Sequence, residues 1–199
     1  MYDYKKCRKI MAARLERYGY LKKTAGSDFD KITDIIAKMY GHKNAGILFV
    51  GVAGCGKTTA AKAIFPTTPQ RRKQLIEQDK DYITPVHLFE LENRKSVARL
   101  SDDYDWMAYH GQGINVFLDD LGADQPIIQY GQRICYTSEF LFEKYKKFER
   151  GETGRLIVTT NMTSDQLTER YGERVVDRLI SMMAICKLDG KSKRRNLEF

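Results

Sequence analysis

One junction restricts the fold of this chain more than any other feature. The apolar run Ile47-Leu48-Phe49-Val50 breaks directly into Gly51-Val52-Ala53-Gly54-Cys55-Gly56-Lys57-Thr58. An apolar run without polar alternation is what a strand buried on both faces requires. The glycines let the backbone curl so that successive N–H groups point inward at one spot. A helix predicted from Lys57, ending before Pro66, adds the positive end of its dipole there. The string satisfies G-x-x-x-x-G-K-[ST], in which the lysine reaches the β- and γ-phosphates of a nucleotide and the hydroxyl ligates magnesium. At ordinary glycine frequency a chance match in a chain of this length is on the order of 1%. A turn that merely joined strand to helix would give no reason for the Lys57-Thr58 pair. Gly51, Val52, Ala53, Gly54, Cys55, Gly56, Lys57, Thr58 and the adjacent Thr59 are therefore the expected nucleotide-binding positions. Cys55 reads as a small residue filling the turn, with a redox role as the alternative.

Apolar runs and amphipathic stretches then alternate. A helix is expected over Cys7–Tyr18, a hinge at Gly19 and Thr24–Gly26, and a helix from Ser27 or Asp28, either of which can cap it, to Gly41. Residues 66–85 are polar and punctuated by prolines, so a loop is expected. Strands are expected at Val86–Leu91, Ile114–Leu118, Leu156–Thr160 and Ala184–Leu188. Helices are expected at Ser96–Tyr109, Ile134–Phe148 and Glu173–Met182, with Thr163-x-x-Gln166 as a capping box opening another. Strand and helix alternating in this way imply an α/β fold, a parallel five-stranded sheet flanked by helices.

Two further strand ends carry polar side chains to the glycine-rich turn. Ile114–Leu118 runs into Asp119-Asp120; a phosphate cradle needs an acid at a neighbouring strand end to hold magnesium. Asp119 is the expected metal partner beside Thr58. Asp120, facing the other side, would orient or deprotonate an attacking water; its alternative is an ordinary turn residue before Leu121-Gly122. Leu156–Thr160 delivers Asn161 to the same sheet edge, where its amide can hold that water in line; its alternative is a helix cap.

Charge is uneven along the chain. Of the net +8 over 199 residues, residues 1–23 carry +6, from eight Lys/Arg against Asp3 and Glu16, and residues 187–199 carry +3. The body between is close to neutral. Basic ends favour polyanion contact through counterion release; the alternative is a solvated, solubilising surface. Composition is ordinary globular, with 42% hydrophobic and 30% charged residues. No apolar run approaches the roughly 20 residues of a membrane span, and no secretory leader is visible. Four cysteines without C-x-x-C spacing read as reduced thiols in a cytoplasmic protein.

The chain resembles the AAA+ ATPases, P-loop NTPases of the ASCE type, and among them the DnaC/DnaI helicase-loader and IstB transposition-helper group. The residues responsible are Gly51–Thr58, Leu118-Asp119-Asp120-Leu121-Gly122-Ala123, Thr159-Thr160-Asn161-Met162-Thr163 and Tyr171-Gly172-Glu173-Arg174-Val175-Val176-Asp177-Arg178-Leu179. The resemblance implies ATP and Mg2+, with Asp119 as the Walker B metal residue, Asp120 as the catalytic acid and Asn161 as sensor 1. It makes Arg178 an arginine finger completing a neighbouring subunit's site, and Arg194, in Gly190-Lys191-Ser192-Lys193-Arg194, a sensor 2 candidate. Arg174 and Arg178 sit four apart on one helical face, whose alternative is an exposed salt-bridging surface. The implied organisation is a basic helical N-terminal extension (1–26), an ATPase domain (27–195) without a helical lid, and a tail (196–199).

The leading expectation is thus a replication ATPase that oligomerises with ATP at subunit boundaries, binds DNA through its basic ends, with Arg71-Arg72-Lys73 as a further contact, and works with a replicative helicase. A transposition helper serving a transposase fits the same motifs. A nucleotide-gated binding module with negligible turnover and a small-molecule phosphotransferase are the readings from other classes.

Overall fold

The computed structural model describes residues 3–41, 46–64, 116–123, 127–129, 132–151 and 155–190. The elements are α1 (Tyr4–Arg17), α2 (Lys22–Ala25), α3 (Ser27–Gly41), β1 (Gly46–Val50), α4 (Lys57–Ile64), β2 (Val116–Leu121), β3 (Ile127–Gln129), β4 (Gln132–Ile134), α5 (Tyr136–Glu149), β5 (Leu156–Thr160), α6 (Ser164–Tyr171), α7 (Glu173–Ser181) and β6 (Met183–Lys187). The expected strand Val86–Leu91, the helix Ser96–Tyr109, the loop 66–85, Arg71-Arg72-Lys73, Arg194 and the tail lie outside the described residues.

β1 sits inside a parallel sheet of order β2-β5-β1-β6, with Leu48 opposite both Val158 and Ile185. Among the described residues the sheet has four strands rather than the five expected. Side chains alternate across it because successive Cβ atoms point to opposite faces. Leu48, Leu118, Leu156 and Val158 pack under α5, α6 and α7. Ile47, Phe49, Phe117 and Ile157 pack under α1, α3 and α4. Both faces are covered, which is why the strands read as continuous apolar runs.

The N-terminal helix is part of the second core. Met11, Leu15 and Tyr20 are fully buried against Ile32, Ile36 and Ala60. Asp3 caps α1 by accepting the Lys6 N–H, so the helix begins ahead of the expected Cys7. Thr24 and Ala25, read as part of a hinge, belong to a short helical turn, Lys22–Ala25.

Asp28, a candidate cap for α3, is used elsewhere. Its buried carboxylate accepts the backbone N–H of Asp189 at 3.3 Å and of Gly190 at 2.8 Å, with Lys31 at 3.6 Å. It therefore secures the chain as it leaves β6. The Thr163–Gln166 capping box forms as expected. Residues Ile127–Gln129 and Gln132–Ile134 pair as two antiparallel strands ahead of α5, so Ile134, the expected first residue of that helix, ends a strand and the helix begins at Tyr136. Among the described residues no helix is long and apolar enough to cross a membrane.

Candidate nucleotide site

The strands end on a common edge, and the site is assembled there. Gly51–Gly56 turns between β1 and α4, and Lys57 is the first residue of the helix. The Lys57 side chain is buried, and its ammonium donates to the carbonyls of Gly51 at 2.8 Å and Val52 at 2.9 Å and to Asn161 Oδ1 at 2.5 Å. An ammonium has three protons, and these three acceptors take them all.

Gly56 shows why the turn needs glycine. Its φ is +106°, in the region L side chains rarely adopt, and a Cβ there would lie 2.2 Å from the Tyr20 ring. Tyr20 in turn donates its hydroxyl to the Cys55 carbonyl at 3.4 Å, and burial pushes its phenol pKa upward. Gly56→Ala is expected to cost about 1–3 kcal/mol from backbone strain alone, a loss on the order of 5 °C in melting temperature for a chain this size. A thermal melt within 1 °C of wild type would show that the Tyr20 contact does not restrain the turn.

β2 does not stop at Leu118 as expected but continues to Leu121, with an irregularity between them. Leu118 pairs Val158 while Leu121 pairs Thr160, so β2 holds one residue more than β5 over this stretch, which is a β-bulge. Asp120 takes up the distortion with φ +54°, the only positive value at a non-glycine residue among those described. Asp120 lines the wall of the cradle's cavity, while Asp119 meets Thr58 and Thr159. Strained non-glycine residues of this kind concentrate at functional sites.

Thr159 holds both acids. Its hydroxyl donates to Asp119 Oδ1 at 2.5 Å and accepts the Asp120 N–H at 2.8 Å. Thr58 Oγ1 donates to the same Asp119 oxygen at 2.9 Å. The hydroxyl of the turn and the carboxylate of β2 are thus adjacent, the hard-oxygen pair that a magnesium ion uses. Asn161 bridges the two halves, accepting from Lys57 and donating its amide to Asp120 Oδ1 at 3.4 Å.

These groups surround a cavity of about 320 Å3, lined by Ala53, Gly54, Gly56, Lys57, Thr58, Thr59, Asp120 and Asn161. Tyr18, Gly19 and Tyr20 form the remaining wall. The sequence reading missed these three, taking Gly19 as a hinge. An aromatic on each side of a glycine is the signal they leave, but nothing local says what it faces.

Arg178 is not in this cavity. It is half-buried on α7, its guanidinium 4.4 Å from the Phe142 ring centroid and 5.0 Å from that of Tyr145. Arg174 lies over Phe142 as well, at 5.6 Å. The pair expected on one helical face is therefore laid on aromatic rings of α5 by cation–π contact. All four cysteines are free thiols; Cys55 is fully buried, and burial pushes Cys186 up to about 12.

No family model and no curated protein matches this sequence. Among solved structures, a crystal structure of the DnaC helicase loader is similar with a TM-score of 0.45 and 20% identity, covering 81% of this chain and 88% of that one. At that level the reading of the site rests on its own geometry.

Proposed function

We propose that this chain binds and hydrolyses Mg-ATP, with the site completed by a second copy, and that it acts on DNA as a helicase-loader-like replication factor. One observation carries the nucleotide chemistry. Lys57, Thr58, Asp119, Asp120 and Asn161 come from three separated segments and meet in one hydrogen-bonded cluster beside a glycine-rich turn.

Lys57 and the N–H groups of the turn would grip the β- and γ-phosphates. Thr58 and Asp119 would hold magnesium, which supplies positive charge against the phosphate oxygens. The Asp120 carboxylate accepts a proton from water as that water's oxygen bonds the γ-phosphorus and the β–γ bridging bond breaks, giving ADP and phosphate. Asn161, hydrogen-bonded to both Asp120 and Lys57, aligns the water with the phosphate. Tyr18 and Gly19 offer a wall for the nucleoside end.

The replication role is supported by the Leu118–Ala123 and Tyr171–Leu179 strings, which resemble loader sequences. A transposition helper fits the same strings, and a pull-down that returns a transposase rather than a helicase selects it.

Asp120→Asn tests the chemistry. Asn tolerates a left-handed backbone almost as Asp does, so the fold and nucleotide uptake are expected to survive. Turnover is expected to fall about 10²–10⁴-fold, the usual contribution of a positioned general base. Turnover equal to wild type, measured as phosphate release, would remove Asp120 from the chemistry.

A further inference from the structure

The N-terminal segment builds two concave surfaces. Tyr18–Tyr20 wall the nucleotide cavity. On the other side, Lys5, Arg8, Lys9 and Lys22 line a groove of about 480 Å3 together with the carboxylates of Glu16 and Asp30, so its basic side chains outnumber its acids by two. Arg8 and Lys22 share Asp30, at 3.0 and 3.5 Å. Lys5, Lys6 and Lys9 are exposed and make no ion pair with any described residue. The α-helical rise of 1.5 Å places Lys5 and Lys9 about 6 Å apart along α1, close to two phosphate steps of ~3.4 Å along a nucleic-acid strand.

We infer that this groove binds the phosphate backbone of a nucleic acid, and that the binding is linked to nucleotide occupancy through Tyr18–Tyr20. The linkage rests on the nucleotide reading of the cradle; the groove does not. A nucleic acid is favoured over an acidic membrane because α1 has no apolar face left for insertion. Met11 and Leu15 are committed to the core, and Ile10 is the only large hydrophobic residue exposed on the helix. The linkage follows from continuity. α1 ends at Arg17, Tyr18 caps it, and two residues on Tyr20 abuts the turn at Gly56. Any shift of that wall on nucleotide binding displaces the helix that carries the lysines.

The test uses the full chain and labelled single- and double-stranded oligonucleotides, read by fluorescence anisotropy at 50 and 200 mM salt. Lys5→Glu with Lys9→Glu is compared with Lys62→Glu with Lys146→Glu, which changes net charge equally at exposed positions of α4 and α5, outside both basic ends. The first pair is expected to weaken binding at least tenfold at 50 mM salt and to flatten the salt slope by about 1.4–1.8, the share of two phosphate contacts. The second pair is expected to change affinity less than threefold. Equal loss in both pairs, or none in the first, overturns the groove, as does binding to phosphatidylglycerol vesicles without binding to either oligonucleotide.

Adding a non-hydrolysable ATP analogue is expected to change oligonucleotide affinity at least fivefold. By reciprocity the oligonucleotide must change analogue affinity by the same factor. Analogue that binds without moving oligonucleotide affinity overturns the linkage. Analogue that does not bind at all overturns the nucleotide reading and the linkage with it, while the salt and charge-swap results still decide the groove.

Discussion

Lys57→Ala is expected to abolish nucleotide uptake, and turnover with it. The side chain is buried at the centre of the turn, with its protons on Gly51, Val52 and Asn161. A buried, hydrogen-bonded charge that meets a phosphate is worth roughly 3–5 kcal/mol when its partner is deleted, or about 10²–10⁴ in affinity. The substitution also leaves the Gly51 and Val52 carbonyls without this donor and frees Asn161 from one side. The loss therefore reaches the water-aligning amide as well as the grip on phosphate. Equilibrium binding of labelled ATP checks it, with a thermal melt to establish that the variant is folded. Undiminished uptake by a folded Lys57→Ala chain would end the nucleotide reading.

The second large effect is expected at Arg178. If it completes the site of a second copy, Arg178→Ala keeps nucleotide affinity and loses about 10³–10⁵ in turnover, the contribution of an arginine supplied in trans. Its position in the structure agrees with that division of labour. Within one chain the guanidinium is outside the cradle's cavity and lies over Phe142 and Tyr145, contacts that leave its charge in place. Mixing supplies the decisive measurement. Arg178→Ala retains an intact cradle and Lys57→Ala retains an intact Arg178. Equal amounts of the two inactive chains are expected to recover a measurable part of wild-type phosphate release, rising with total concentration. A mixture that stays inactive at every concentration excludes the trans assignment.

How much of this was legible beforehand depended on whether the signal was local. The phosphate cradle was, because backbone conformation, dipole and charge all act within the residues from Gly51 to Thr58. The strand cores at Ile47–Val50 and Leu156–Thr160 were legible because burial on both faces removes polar residues from a strand outright. The pairing of acid and hydroxyl was half legible. The sequence placed Asp119 at a strand end and Thr58 at the start of the helix after the turn, but Thr159 as the residue that contacts both acids was invisible. A threonine in an apolar strand looks like any other β-branched residue.

Asp120 illustrates the other limit. Its left-handed backbone falls where β2 holds one residue more than β5. A bulge is fixed by register between strands, which no single strand encodes. Tyr18–Tyr20 were missed for the same reason: they acquire meaning from a surface supplied by distant residues. The sequence alone thus determined the turn, its lysine and the buried strands, since these follow from forces acting over a few consecutive residues. The tertiary structure decided which acid enters the cavity, what walls it and where Arg178 rests. Those outcomes depend on distances between segments separated by tens of residues, and packing alone sets such distances.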